Sequence, residues 1–353
     1  MKKIILLIVC FFMISINIKA SIVVMDAESG RVLYSENKDE RKLIASTTKI
    51  MTSIIALENG NLSDIYEVHD EIDEANGSMI YIQKGEKMSL NDLLYGLMLR
   101  SGNDAAMIIA SNVMPYDNFI NKMNLKAQEL NMYNTTYENP HGLNDKTKNY
   151  STAYDLALLM KYAIKNKEFL KITSTKKYKT KTDTNEYIWY NKNDLLSSYK
   201  YTVSGKIGYT KSSGQVFVSY AKKYNKKLIV TSIDENNKFE LHKNLYEKYF
   251  NLYKNYKIFD KYTFSINSKN YKNYYIYIKN DVNLLLTERE SKDLIVTAKI
   301  KEKFDRNTMN AGYLEFRVDN KVIHKEPLYY IKHIEKTERI KNIIKNLFRK
   351  SKK

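Results

Sequence analysis

The chain of 353 residues holds one cysteine, Cys10, so no intramolecular disulfide can form and no zinc site can rest on clustered thiolates. Its five histidines, His69, His141, His242, His324 and His333, form no HExxH pair, which removes the zinc-peptidase reading. Three prolines leave no Pro-rich linker. Ile4 to Ile16 is the leading apolar run, and it falls short of the about 20 residues a bilayer span needs. What is present is ordinary for a globular protein: 43% hydrophobic and 28% charged residues, which exclude global disorder and a collagen-like fibre. At roughly 150 residues per domain, the length suggests two domains, or one large domain with an appendage, and allows a sizeable core.

The formal net charge is +18, from 58 Lys+Arg against 40 Asp+Glu. Such an excess suits nucleic acid, an anionic membrane or an anionic polymer, although a coding bias toward Lys, Asn, Ile and Tyr (30 Tyr) produces it equally well. The ends of the chain narrow the choice. Lys2 and Lys3, the apolar run and Ala20 read as a secretory signal peptide over 1–20, with Cys10 inside it. At the other end, Ile340, Ile343, Ile344, Leu347 and Phe348 line one helical stripe flanked by Lys341, Lys345 and Arg349. Residues 336–353 carry eight Lys/Arg against one Glu and read as a basic amphipathic helix that associates with a membrane surface. An exported protein without a recognised nucleic-acid motif is not expected to bind nucleic acid.

Between the ends, Ser21 to Asp26 and Arg31 to Glu36 read as strands. Helices are expected over Thr47 to Leu57, from Ser89 as N-cap, over Ala105 to Ala110, Phe119 to Leu130 and Thr152 to Lys165. From about 186 the texture turns strand-like, with Gln215 to Ala221 and Lys227 to Ile233, then a helix over Lys238 to Tyr253. After about 256 nearly everything reads as strand, including Tyr274 to Ile278 and Leu294 to Ile300. The expected division is a mixed α/β (α+β) domain over 21–255 and a small β-rich domain over 256–335.

Three short motifs carry chemistry. Ser46-Thr47-Thr48-Lys49 is an SxxK tetrad, which puts serine and lysine one helical turn apart on one face. A serine hydroxyl needs a base to become a nucleophile, and a lysine amine serves once burial and neighbouring cations lower its pKa. Alone, the tetrad is equally an N-cap serine followed by a solvated lysine. Ser101-Gly102-Asn103 alone is a turn, and Lys206-Ile207-Gly208 alone is a strand end. In this order, SxxK, SxN and Lys-x-Gly match the set of the penicillin-recognising serine enzymes.

The flanks Ile44 to Thr52, Arg100 to Ala106, Asn139-Pro140-His141-Gly142-Leu143 and Ser151 to Leu156 closely resemble the low-molecular-weight penicillin-binding proteins, in particular the D-alanyl-D-alanine carboxypeptidases. The resemblance covers about 21–250. It implies a penicillin-binding/β-lactamase-like transpeptidase domain, a substrate that is a peptidoglycan stem peptide ending in D-Ala-D-Ala, β-lactams as inhibitors, and an extracytoplasmic location. It further implies Ser46 as nucleophile, Lys49 as base, Ser101 as proton relay, Asn103 holding the acyl chain and Lys206 drawing the substrate carboxylate. By the same resemblance Gly208 would allow close backbone approach, and the N–H groups of Ser46 and Tyr209 would form the oxyanion hole. Neither metal nor cofactor is required, because the set supplies its own nucleophile and base. His141 is expected to structure its loop rather than act as a base.

One position departs from the pattern. Ile207 stands where the family carries threonine, whose hydroxyl bonds the substrate carboxylate; such a bond to a charged group is worth roughly 1.5–3 kcal/mol. Thr210, Ser212 and Ser213 lie near enough in sequence to compensate. The departure keeps open a catalytically weak penicillin- or muropeptide-binding protein, and endopeptidase action is a further alternative. A class A β-lactamase would need a deacylating glutamate in E-x-x-L-N, and here Ala127 precedes Leu130-Asn131 in the glutamate's place.

Overall fold

The computed structural model describes residues 20–266, 273–304 and 309–332. The expected signal peptide, apart from Ala20, and the expected basic helix at 336–353 lie outside the described residues. A five-stranded antiparallel sheet organises the first part of the chain: β1 (Ser21–Asp26), β2 (Val32–Glu36), β3 (Thr202–Thr210), β4 (Gly214–Lys223) and β5 (Lys226–Ile233), in the order β2-β1-β5-β4-β3. Every residue of β1 is buried, because the sheet is covered on both faces. Alternation then sorts its side chains. Val23 and Met25 enter a large helical core on one face, whereas Ile22 and Val24 enter a smaller core on the other.

The larger core is formed by α1 (Thr48–Asn59), α2 (Asn103–Val113), α3 (Ala153–Ala163) and their neighbours. Its apolar residues recur at helical spacing, for example Ile50, Met51, Ile54 and Ile55 on α1. Thr152 caps α3 by accepting from the Asp155 N–H, and Ser89 caps the helix Leu90–Tyr95 through Asp92 N–H. The opposite face is covered by α4 (Lys238–Leu252), which packs Tyr246, Tyr249 and Phe250 onto Phe217, Leu228 and Val230.

A small β-rich region follows. β6 (Lys254–Phe259) pairs with β8 (Val282–Leu286), and β7 (Tyr274–Tyr277), β9 (Ile295–Ile300), β10 (Asn310–Val318) and β11 (Lys321–Lys332) form a sheet in the order β7-β11-β10-β9. Ile276, Leu284, Leu314, Phe316 and Leu328 fill a separate core there. The mixed helix-and-sheet architecture expected from the sequence is therefore present.

Several boundaries differ from expectation, each for a local reason. The first helix begins with a 3-10 turn at Ala45–Thr47, and α2 starts at Asn103, two residues before the apolar run that signalled it. Lys206 to Gly208 lies in the middle of β3, since lysine and glycine hide a strand interior from propensity reasoning. The helix Lys167–Ser174 and the short helix Glu288–Lys292 in the strand-like region were not anticipated. Thr287 and Glu290 build a capping box there, and the same Glu290 carboxylate receives Arg31. Among the described residues no helix is long and apolar enough to cross a membrane.

Arg31 ties the two parts of the chain together. It pairs with Glu290, donates to the Leu285 carbonyl at 3.0 Å and lies over the Tyr253 ring. Both charged side chains are largely shielded, at 14% and 11% exposure, so removing one strands the other. Arg31→Ala is expected to cost about 2 kcal/mol, the scale of a lost hydrogen bond to a charged group. A thermal melt should show this as a fall of several degrees in Tm, and an unchanged melt would mean that the pair carries no net stability.

Candidate active site

Ser46 sits in the 3-10 turn that leads into α1, at the helix end where partial positive charge collects. The preceding Ala45 has φ +46, a left-handed conformation costly for a residue with a Cβ. Two neighbours hold it. Gly142 (φ +92) packs so tightly that a Cβ there would lie 1.9 Å from the Ala45 carbonyl oxygen, and a Cβ on Gly208 would lie 2.9 Å from Ser46 N. Both glycines are therefore required by close backbone approach.

Lys49, one turn on, is fully buried, so the tetrad is not an N-cap serine followed by a solvated lysine. Its Nζ donates to Ser46 Oγ at 3.1 Å, to Asn103 Oδ1 at 2.6 Å and to the His141 carbonyl at 2.6 Å. Burial, then the charges of Lys206 and Lys192, push its pKa well below the ordinary lysine range, with Asp104 opposing. The amine is thus held ready to accept a proton beside the serine hydroxyl.

Ser101 ends a π-helical turn (Gly96–Arg100) and is itself left-handed, at φ +65. Strain at Ala45 and Ser101 together marks the spot as one the fold holds against local preference. Lys206 reaches across from β3 and donates to Ser101 Oγ at 3.0 Å and to the Ile207 carbonyl at 2.9 Å. Burial and the nearby Lys192 charge bring its pKa down to about 7. Asn103 offers its other amide end to the Asn76 carbonyl, and its backbone N–H donates to the Ser78 carbonyl at 2.7 Å. The structure thus brings Ser46, Lys49, Ser101, Asn103, Lys206 and Gly208 together, with Tyr209 next along β3.

The Asn139–Leu143 loop is fastened to α1. Thr52 Oγ1 donates to the Pro140 carbonyl, and Asn149 links Thr48 to Asn139. The His141 ring nitrogen Nδ1 accepts from the Leu143 N–H at 3.0 Å. Burial and then Lys49 lower its pKa to about 3, so the ring stays neutral while its carbonyl receives Lys49.

Ile207 faces away from this cluster. It pairs with Phe217, as Lys206 pairs with Val218, and it packs into the core under α4 while Val218 belongs to the helical core. Thr210 and Ser213 are engaged with each other, Thr210 Oγ1 to Ser213 Oγ at 2.9 Å, and close the β3–β4 hairpin. Three contributors were not singled out in the sequence. Lys192 donates to Ser78 Oγ at 3.2 Å, and its charge lowers the pKa of both Lys49 and Lys206. Asp104, buried, accepts from Ile80 and Tyr81 N–H and pins the 76–81 turn. Asn76 occupies the far end of the Asn103 amide. Among the described residues no group of three or more His, Cys, Asp or Glu side chains could hold a metal ion.

A family model described as D-alanyl-D-alanine carboxypeptidase matches residues 15–237. The chain belongs to the D-alanyl-D-alanine carboxypeptidase family. Relatives in this carboxypeptidase family include DacF of Bacillus subtilis, 35% identical over 216 residues, which are 59% of this chain and 55% of that protein. The chain thus spans about half the length of this relative. A Streptomyces D-alanyl-D-alanine carboxypeptidase is 35% identical over 209 residues, 54% of this chain and 70% of its own length. The crystal structure of penicillin binding protein 5 from Haemophilus influenzae shares the fold, with a TM-score of 0.73 over 89% of this chain and 96% of that one, at 22% identity.

The packing of Gly142 against Ala45 gives a direct test. Gly142→Ala adds both a backbone clash and an unfavourable φ, and should destabilise by more than about 2 kcal/mol. Chemical denaturation would read this as a lower midpoint, whereas a wild-type midpoint would show that the loop slides freely.

Proposed function

We propose that the protein is a serine-type D-Ala-D-Ala carboxypeptidase that removes the terminal D-alanine from peptidoglycan stem pentapeptides and is acylated by penicillin. The observation that carries this reading is the buried Lys49 amine, 3.1 Å from Ser46 Oγ and depressed in pKa by burial and by Lys206.

The chemistry follows from the geometry. Ser46 Oγ attacks the carbonyl carbon between the last two alanines as Lys49 takes its proton. The C–N bond breaks, and the proton passes to the leaving amine through Ser101, which Lys206 orients. The N–H groups of Ser46 and Tyr209 stabilise the oxyanion, each donor being worth roughly 2.7–4 kcal/mol in comparable sites. The closeness of Gly208 to Ser46 N supports this pairing. Lys206 attracts the terminal carboxylate, and Asn103 turns its amide from Asn76 toward the acyl chain. Water attacks the ester in turn, freeing Ser46 and the shortened peptide.

The expected domain division is catalytic over 21–255 and β-rich over 256–335. Export through 1–20 and peripheral attachment of the basic stripe at 336–353 to an anionic membrane fit a cell-wall substrate; the support is the sequence pattern alone.

A fluorescent penicillin should label the wild type and not Ser46→Ala, and mass spectrometry of a pentapeptide muropeptide should show penicillin-sensitive loss of one alanine. An unlabelled wild type would end the acylation reading. The pH dependence has a definite sign. Rising pH through about 7 removes the Lys206 proton in the free enzyme, so kcat/KM should fall above that value. Lys206→Arg, always charged, should abolish that descending limb. The weak-enzyme alternative gains nothing from Ile207, whose side chain packs under α4 and away from the cluster. Ile207→Thr should leave D-alanine release unchanged, and a roughly tenfold gain would instead favour that alternative.

A further inference from the structure

An open groove of about 320 Å³ lies beside the cluster, between the turn holding Met79 to Tyr81 and the strand Glu186–Tyr190, with Arg100 in its wall. Its rim is aromatic and solvent-facing, with Tyr81 at 67% and Tyr190 at 56% exposure. Tyr81 is left-handed, at φ +64, an outlier for a bulky residue, and it is held there by its N–H bond to the buried Asp104 carboxylate at 2.8 Å. The fold thus spends backbone strain to keep an aromatic ring in water. Behind the rim, Trp189 is buried against Tyr187 and Tyr178, and Tyr178 stacks on Tyr95 at 3.6 Å, so the wall is stiff. Lys177 covers one side of the Tyr190 ring at 5.0 Å.

The groove adjoins the cluster along the chain, since Arg100 in its wall immediately precedes Ser101. Ser78 receives the Asn103 N–H and the Lys192 ammonium, and Tyr81 and Tyr190 lie three and two residues beyond those tethers. At about 3.8 Å per residue, the rim is within roughly 12 Å of chain from the Asn103 hub. Four extended stem residues would span about 13 Å.

Rigid, exposed tyrosine faces beside a guanidinium and a carboxylate suit a pyranose ring. Its C–H face carries partial positive charge that meets the negative π face, while its hydroxyl and acetamido groups need the donors of Arg100 and the acceptor of Glu186. We propose that this groove holds the amino sugar to which the stem peptide is attached, so that the protein reads glycan as well as peptide. The inference rests on the cleft being the stem-peptide site.

The test compares the wild type with Tyr81→Asn and Tyr190→Ala on two substrates, the free stem pentapeptide and the same pentapeptide on its N-acetylglucosaminyl-N-acetylmuramyl disaccharide. Asparagine tolerates the left-handed backbone, so Tyr81→Asn removes the ring without adding strain. Each variant should raise KM for the disaccharide substrate roughly tenfold, leave its kcat unchanged, and leave the free peptide unaffected. Tyr81→Phe should behave as the wild type. Equal KM increases on both substrates, or none on either, would overturn the proposal. Binding of the product disaccharide-tetrapeptide, followed by intrinsic fluorescence, gives a readout that does not need turnover. Binding weakened by both variants with a catalytically silent wild type would refute the carboxypeptidase reading and keep the sugar site; binding unchanged by both would refute the sugar site alone.

Discussion

The site depends on an amine buried where no water can solvate its charge. Lys49 has no carboxylate among its hydrogen-bond partners; it has a serine hydroxyl, an amide oxygen and a backbone carbonyl. Those three contacts place the nitrogen without giving it a counter-ion, and Lys206 and Lys192 add repulsion that disfavours the protonated form. A carboxylate in contact would favour the protonated amine, which could not serve as the base proposed above. Asp104 is close enough to oppose the shift, but the fold ties its oxygens to the N–H groups of Ile80, Tyr81 and Ala105. The same bonds that quiet the carboxylate also hold the wall of the neighbouring groove.

Much of the chemistry was legible in sequence because it is encoded at short spacing. Ser46 and Lys49 are one helical turn apart, and Ser101 and Asn103 flank a glycine in a helix junction. What spacing could not show is how far-separated segments meet. Lys192 stands in an unremarkable Asn-Lys-Asn run, and its charge matters only because the chain delivers it to Ser78. The left-handed Ser101 and the π turn before it result from tertiary packing against local preference. Element boundaries slipped at caps and at Lys206 to Gly208 for the same reason: burial overrode propensity.

Ile207 shows how one strand serves two masters. Alternation sends Lys206 and Gly208 to the serine and Ile207 to the apolar layer under α4. The residue is therefore constrained by packing on one face, while its neighbours are constrained by chemistry on the other.

β1 pairs with β5, so residues 21–26 find their partners at 228–233. The strand that carries Lys206 belongs to the same sheet through β4. Contacts of such long sequence separation form late, because their loop-closure entropy must be overcome first. Ser46, Lys49 and Lys206 are therefore expected to come into register only once the sheet has closed. A chain that ends before β5 lacks the strand joining β1 to β4, so the meeting of Ser46 and Lys49 with Lys206 reports on closure of the whole sheet.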